Sequence, residues 1–487
     1  MYIGMNYVGG EFQPHRPDFP SINPSTEEDI GLFPTTTSDE VVHAVSVARK
    51  ASSSWASLSR IQRAEYFDTL AQIVKRDIQK IARAISLETG KTLNESRAEV
   101  NEALHMAQYT FAKGREAFGE CVASELAERD AYVWRKPKGV VAVVAPWNFP
   151  FAIGGFWCAA PALLEGNTVV YKPSEDTPMV GQITAELYDE ANFPDGVFNV
   201  IHGDGEVGNA LVLDDVDHIC FTGSMEVGRT IRRVCADSWY KTCSCEMGSK
   251  SALIVFNDAD LELALSAAVA SAFKLSGQRC VSASRILVQR SVYDTFCSEF
   301  VQLASQVKIG DPFNMPNALF GPLINKNQME RVLRYNNIVN TDEDCKVLLA
   351  GEKMNGKGYY LTPHVYQTEW ADKPFLKQEV FGPHVALVPF DTLDEAIEIY
   401  NDTNYGLAVG VLTNDYRNMR ECRNRCDYGM IYFNLGCIGA ESHMPFGGVK
   451  GSGNGWTSAA GTFEAVTHKV AVNVNHGKTL NFPQGLK

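Results

Sequence analysis

The chain of 487 residues carries 58 acidic against 44 basic side chains, a formal charge of −14, with 45% hydrophobic and 21% charged residues. That length exceeds a single simple core, so two or three domains are expected, and the composition is that of a soluble globular protein. The negative balance, with no basic run to offset it, argues against nucleic acid and membranes as partners.

The twelve cysteines form no C-x-x-C pair and are too scattered for a zinc ribbon or a small disulfide framework. They read as reduced thiols of a cytoplasmic protein. Cys422 and Cys426, four apart on a predicted helix, lack a matching His or Cys pair and read as helix packing, so no metal is expected. The N-terminus shows neither a signal-peptide h-region nor an Arg-rich transit pattern.

Residues 1–45 predict strands and turns, with Gly9-Gly10 as a hairpin turn and Asn23-Pro24 as another turn. From Ser38 to Met106 apolar residues recur at three- and four-residue spacing, the helical period. Ala131 to Trp134 reads as a strand apart from the main alternation. Between Lys138 and Glu165 lie 26 consecutive uncharged residues, long enough to span a bilayer. Pro146, Pro150, Pro161 and Gly154-Gly155 interrupt the run, and β-branched Val140 to Ala145 reads as a buried strand.

A long alternation follows, with strands expected at 140–145, 168–171, 197–201, 218–221 and 242–246, and helices at 152–164, 179–192, 206–213 and 226–236. Such β-α-β units with near-continuous apolar strands predict an α/β fold with a parallel sheet covered on both faces. Ligands on these sheets bind beyond the carboxyl ends of the strands. A second alternation starts at 251–256 and continues through a helix at 260–275 and strands at 284–288, 386–390, 407–413 and 430–434. A less regular, turn-rich region spans 311–371. The tail 466–474 alternates like an edge strand and, with the 131–134 strand, predicts a small projecting sheet that pairs between subunits.

Several motifs sit at the ligand-binding edge. Pro146-Trp147-Asn148-Phe149-Pro150 ends an apolar strand with Asn148 as its one polar side chain. An amide donor there suits an oxyanion and is worth about 2.7–4 kcal/mol in a transition state. In Lys172-Pro173-Ser174-Glu175, a donor and an acceptor three apart suit a ribose diol, or else form a solvated charged loop. Gly203-Asp204-Gly205-Glu206-Val207-Gly208 is literally G-x-G-x-x-G, but the dinucleotide reading needs an acid at the end of the next strand. That strand ends Phe221-Thr222-Gly223-Ser224, so the fingerprint fails. Gly223 to Gly228, at the next strand-to-helix turn, offers a second helix N-terminus for a pyrophosphate, or is a plain turn. Glu246 ends another strand and is either structurally paired or a general base. Cys280, in Ser276-Gly277-Gln278-Arg279-Cys280, falls between a helix and a strand, where a backbone presents a thiol to a cleft. A free thiol, pKa about 8.5, is only a few per cent ionised at neutral pH, so a nucleophile there needs a base or a local field. The plain alternative is a packed cysteine.

Pro146–Pro150, Lys172–Glu175, Phe221–Gly228, Glu246–Gly248, Gly277–Cys280, Glu379-Val380-Phe381-Gly382-Pro383 and Pro445-Phe446-Gly447-Gly448 follow one another along nearly the whole chain. Together they resemble the aldehyde dehydrogenase superfamily. The resemblance implies Cys280 as nucleophile, Glu246 as general base and Asn148 as oxyanion donor. It implies NAD, or else NADP, lying along Trp147, Lys172, Glu175, Ser224, Glu379 and Phe381. Ala145, Pro146, Ser174, Gly205, Phe221, Thr222, Gly223, Val227, Gly228, Met247 and Gly248 would complete that site. It further implies two parallel-sheet α/β domains: a dinucleotide-binding domain (1–118 and 138–248) and a catalytic domain (249–440). A small β oligomerisation element (119–137 and 465–487) and a return segment (441–464) complete the fold. The partners implied are a small-molecule aldehyde and further copies of the chain, as a homodimer or homotetramer.

Two departures stand out. The family commonly has a second Gly after Glu-Leu-Gly, whereas Glu246-Met247-Gly248 is followed by Ser249, and Cys243 and Cys245 crowd the general base. The activity expected is oxidation of an aldehyde to its acid through a cysteine thiohemiacetal and thioester, with a semialdehyde as one substrate class. A CoA-acylating relative would generally lack Glu246, and a catalytically retired structural protein would have lost Cys280 or Glu246. Family members acting on succinate semialdehyde typically carry an Arg in the helix after Pro150, and none is present. A carboxylate clamp would therefore need a cation from the 430–445 loop. The stretch 434–448 resembles members acting on 2-oxoglutarate or aminoadipate semialdehydes.

Overall fold

A computed structural model describes residues 1–483; residues 484–487, the end of the expected oligomerisation element, lie outside the described residues. Three capping boxes punctuate the helical region. Thr37 with Glu40, Ser59 with Gln62 and Thr92 with Glu95 satisfy backbone N–H groups at each start, giving helices Ser38–Ser57, Arg60–Thr89 and Leu93–Lys113. Gly90, at φ +73°, closes the second of them in the left-handed region.

The first alternation builds a seven-stranded sheet in the order Thr242–Glu246, His218–Thr222, Val140–Val144, Thr168–Lys172, Phe198–Val200, Asn6–Val8, Glu11–Gln13. Its first five strands are parallel, and the last two are an antiparallel hairpin turned by Gly9 and Gly10, both at positive φ. The second alternation builds another seven-stranded sheet. Its order is Lys346–Leu349, His364–Gln367, His384–Phe390, Arg285–Gln289, Ala252–Val255, Ala408–Leu412, Met430–Phe433, parallel except for its first strand. Alternate residues of a strand face opposite sides, and here both sides are core. Val141, Val143 and Val169 enter one cluster while Val140, Ala142 and Val170 enter another. Leu253 and Val255 likewise oppose Ala252 and Ile254. This is why the strands read as unbroken apolar runs.

The long uncharged run is buried protein interior. It forms the strand Val140–Val144, a π-helix Ile153–Cys158 and the helix Ala159–Leu164, with no exposed residue. Pro161 has no N–H for the carbonyl of Trp157, and the Thr462 hydroxyl donates to that oxygen instead at 2.8 Å. No described helix is long and apolar enough to cross a membrane. Thr467–Asn475 pairs with Arg129–Pro137 through nine residue pairs, and Glu120–Val122 adds a third strand to this small antiparallel sheet.

Two expectations need correction. The turn-rich region 311–371 contains a full helix, Lys326–Asn340, and two strands of the second sheet. That helix buries only Met329, Val332, Asn336 and Val339, a stripe too narrow to stand out from its polar sequence. The helix before Cys280 stops at Phe273 rather than 275, because the next residues turn left-handed.

Candidate active site

The Cys280 loop is built on strain. Leu275, Ser276 and Gly277 stand at φ +56°, +54° and +70°, and each non-glycine there costs on the order of 1–2 kcal/mol. Hydrogen bonds hold the turn: Leu275 N–H donates to Glu95 Oε1 at 2.8 Å and Ser276 Oγ to Gly321 O at 2.7 Å. A Cβ on Gly277 would collide with the Gly382 carbonyl, so the close approach requires glycine. Gln278 then ties the loop down twice. Its Oε1 accepts from Ile324 N–H at 3.1 Å, and its carbonyl accepts from Asn148 Nδ2 at 3.0 Å. Cys280 follows, half-buried, with its thiol pushed up to about 12 by burial, then by the Glu379 and Glu246 carboxylates, while Arg279 pulls the other way.

Glu246 ends its strand opposite Thr222 and is buried. Its carbonyl accepts from Gly223 N–H at 3.0 Å, and Met247 N–H donates to Ser452 O at 2.8 Å, fixing the strand end on both sides. Cys243 and Cys245 pack with Cys235 of the overlying helix Met225–Ala236. Asn454 closes the open edge of that strand, accepting from Cys245 N–H at 2.7 Å and donating to Cys243 O at 2.8 Å. Ser249 has a use of its own. Its hydroxyl meets Ser251 Oγ at 2.8 Å and donates to the Cys280 carbonyl, and its N–H donates to Glu379 Oε1 at 2.7 Å. The residue that departs from glycine therefore joins the end of the Glu246 strand to Cys280 and to Glu379. Burial raises the Glu379 carboxyl to about 7, against that N–H.

Beyond the carboxyl ends of the first sheet lies a cavity of about 390 Å³, walled by Ala145, Lys172, Ser174, Glu175, Gly205, Phe221 and Val227. Pro146, Trp147, Thr222, Gly223 and Ser224 are shared with a second cavity of about 520 Å³ that continues to Asn148, Met247, Gly248, Cys280, Glu379 and Phe381. Trp147 meets Phe381 edge-on, with centroids 5.4 Å apart. Gly228 and Glu246 are not among the lining residues; Gly228 instead lets the helix sit against Met247.

The donors suit a dinucleotide. Asp204 caps the helix Gly205–Leu213 with its own carboxylate, so that N-terminus already faces an anion. The helix Met225–Ala236 is capped by neutral Ser224, which leaves its positive end for a pyrophosphate. Lys172 is buried, donates to Gly203 O at 2.6 Å, and lies 3.6 Å from half-exposed Glu175. Burial lowers its pKa, with Glu175 opposing.

Cys280 also lines a third, smaller cavity with Glu102, Phe149, Ile153, Trp157, Arg279, Val281 and Phe446. The 430–445 loop supplies Gly439 and Ala440 to it, and no Lys or Arg occurs in that loop. Arg279 and Glu102 were not singled out in the sequence. Gln328 and Arg331 of the large cavity were missed with the helix that carries them. Among the described residues no group of His, Cys, Asp or Glu is arranged to hold a metal.

A thiol on a strained loop, between the large cavities at the sheet's carboxyl edge and a small pocket, is an arrangement that suits a cofactor-dependent enzyme. The family model "Aldehyde dehydrogenase family" matches residues 12–472, and the chain belongs to that family. It is 34% identical over 457 residues to an alpha-ketoglutaric semialdehyde dehydrogenase of Bacillus subtilis (strain 168), covering 92% of this chain and 93% of the relative. Lactaldehyde dehydrogenase from Escherichia coli is similar at TM-score 0.92 and 32% identity, over 97% of this chain and 99% of that one. A betaine aldehyde dehydrogenase from Staphylococcus aureus in complex with NAD+ is similar at TM-score 0.92 and 30% identity, over 98% of both chains. The protein is an NAD(P)-dependent aldehyde dehydrogenase, oxidising an aldehyde to the carboxylic acid.

Proposed function

We propose that Cys280 is the nucleophile, Glu246 the general base and Asn148 the oxyanion donor of this oxidation. The observation that carries the reading is that Cys280 lines both the large cavity and the small one. A carbonyl held in the small cavity and a nicotinamide held in the large one would meet at its sulfur. The thiol's high pKa means that attack draws on a small thiolate fraction, so the site must compensate by holding the product of attack. Asn148 spends one N–H on Gln278 O, and the second N–H of its amide takes the oxyanion together with the Cys280 N–H. When bound, the nicotinamide supplies the acceptor for the hydride that leaves the substrate carbon. Glu246 then takes a proton from water, which cleaves the thioester on Cys280 and releases the acid.

NAD is the favoured acceptor on this reading. Glu175 beside Lys172 would accept from both hydroxyls of the adenine ribose, and its charge opposes a 2′-phosphate. We assign residues 1–118 and 138–248 to the dinucleotide-binding domain and 249–440 to the catalytic domain. The sheet at 129–137 and 467–475 would pair between subunits of a homodimer or homotetramer. Twelve free cysteines suit a reducing, cytoplasmic setting.

NADH formation from propanal tests the function. It should proceed without CoA, should not rise when CoA is added, and should vanish in Cys280→Ala. A requirement for CoA would replace hydrolysis with acyl transfer.

A further inference from the structure

The thiol cluster beside Glu246 takes no part in the chemistry above. The two-residue period of a strand puts Cys243 and Cys245 on one face, and the helix Met225–Ala236 covers that face with Cys235 in its last turn. All three are free thiols. Cys245 is buried, whereas Cys235 and Cys243 are half-buried, within reach of a small oxidant. The three also differ in acidity. Cys243 is held below the ordinary thiol range, first by Cys235, then by Cys245, with the Arg232 and Lys138 cations adding to them against burial. Cys235 and Cys245 are pushed up, each first by Cys243. The thiolate is the form an oxidant attacks, so Cys243 reacts first. Its partner is Cys235. Residues i and i+2 of a strand stand ~6.4–6.8 Å apart, at the outer limit for a disulfide, and their side chains run parallel. Cys235 instead approaches from the facing helix.

We propose that Cys243 and Cys235 are a peroxide-reactive dithiol, and that closing it to a disulfide slows hydrolysis of the thioester. The Cys243 thiolate attacks one peroxide oxygen. An S–O bond forms as the O–O bond breaks, and the departing hydroxide takes up the proton that Cys243 had shed. The Cys235 thiol then loses its proton and attacks the same sulfur. The S–S bond forms, the S–O bond breaks, and the second oxygen leaves as water. Two electrons pass from the sulfurs to peroxide, which ends as two waters. The link acts on Glu246 through the strand between them. Asn454 donates to the Cys243 carbonyl at 2.8 Å, its Nδ2 lies 3.9 Å from the Cys243 sulfur, and Gly453 bridges to Glu246. Drawing Cys243 onto the helix pulls on that clamp. This second half of the proposal rests on Glu246 being the base.

Peptide mapping tests the first half. Cys280→Ala treated with hydrogen peroxide should yield one disulfide-linked pair of peptides, carrying Cys235 and Cys243, that dithiothreitol separates. The same map on the unaltered protein serves if that variant fails to fold. In Cys235→Ser the sulfenic acid should stay on Cys243, where dimedone traps it. No linked pair, with exposed Cys121 oxidised instead, overturns the dithiol. The second half is read from NADH formed with propanal by peroxide-treated protein. The first turnover should be kept, while the steady-state rate falls by up to ~100-fold, the cost of misplacing a catalytic group by about 1 Å. Dithiothreitol should restore it. Cys243→Ser should keep the untreated rate and escape the recoverable loss. An equal recoverable loss in Cys243→Ser would place the effect at Cys280 and overturn this half. A linked pair with an unchanged rate overturns it too, whereas unchanged turnover in Glu246→Gln removes the base itself.

Discussion

Replacing Glu246 by Gln should make Cys280 easier to alkylate while stalling turnover. The thiol is raised from 9.0 to about 12, which at about 1.36 kcal/mol per unit is ~4 kcal/mol against the thiolate. Burial is the largest cause, the Glu379 carboxylate the next, and Glu246 follows. A nearby carboxylate opposes a thiolate by on the order of 1 kcal/mol, so removing that charge should raise the thiolate fraction roughly fivefold. Iodoacetamide reports this directly. In the unaltered protein its rate should climb about tenfold per pH unit from pH 7 to 10, because that whole range lies below the thiol's pKa. Glu246→Gln should run parallel to it and about fivefold faster. The amide keeps the side chain's size but accepts no proton, so thioester should form and persist. Rapid mixing should then show a burst of NADH approaching one equivalent per site, followed by a slow steady state that hydroxylamine partly restores. Slower alkylation in Glu246→Gln would mean that the carboxylate serves to deprotonate the sulfur, against the electrostatic argument. Unchanged steady-state turnover would remove Glu246 from deacylation.

Glu175→Ser should narrow the preference for NAD over NADP, chiefly through KM for NADP, and a tenfold preference for NADP in the unaltered enzyme would refute the role of Glu175. Asn148→Ala should lower kcat roughly 100- to 1,000-fold with little change in cofactor affinity; an intact kcat would leave Asn148 as a brace for Gln278 alone. Ser249→Ala removes the hydroxyl shared by Ser251 and the Cys280 carbonyl, and should cost about 1–3 kcal/mol of stability. The readout is a lower urea midpoint at constant m-value, and an unmoved midpoint would show that the shared hydroxyl carries no weight.

The strands were legible because both faces of each sheet are core. A run such as Val140 to Val144 has no polar alternation to confuse it, and the burial of Val140 and Val141 in different clusters is the physical counterpart. The hairpin at Gly9-Gly10 was legible because only glycine takes two successive positive φ values at no steric cost. The helix Lys326–Asn340 was not, since its buried stripe includes Asn336 and its other faces are polar. With it went Gln328 and Arg331 from the large cavity.

Arg279 shows a deeper limit of reading by residue type. It stands in the pentapeptide that ends at Cys280, whereas the sequence pointed for a cation to the helix after Pro150 and to the 430–445 loop. What aims Arg279 into the small cavity is the left-handed turn at Leu275, Ser276 and Gly277, which ends the preceding helix early and rotates the loop that follows. Of these three only Gly277 advertises a positive φ; Leu275 and Ser276 adopt it because Glu95, Gly321 and Pro322, distant in sequence, hold them there. Direction at this site is set by tertiary partners rather than by local propensity. A change at Glu95, far from the chemistry in sequence, should therefore disturb Cys280 and Arg279 together.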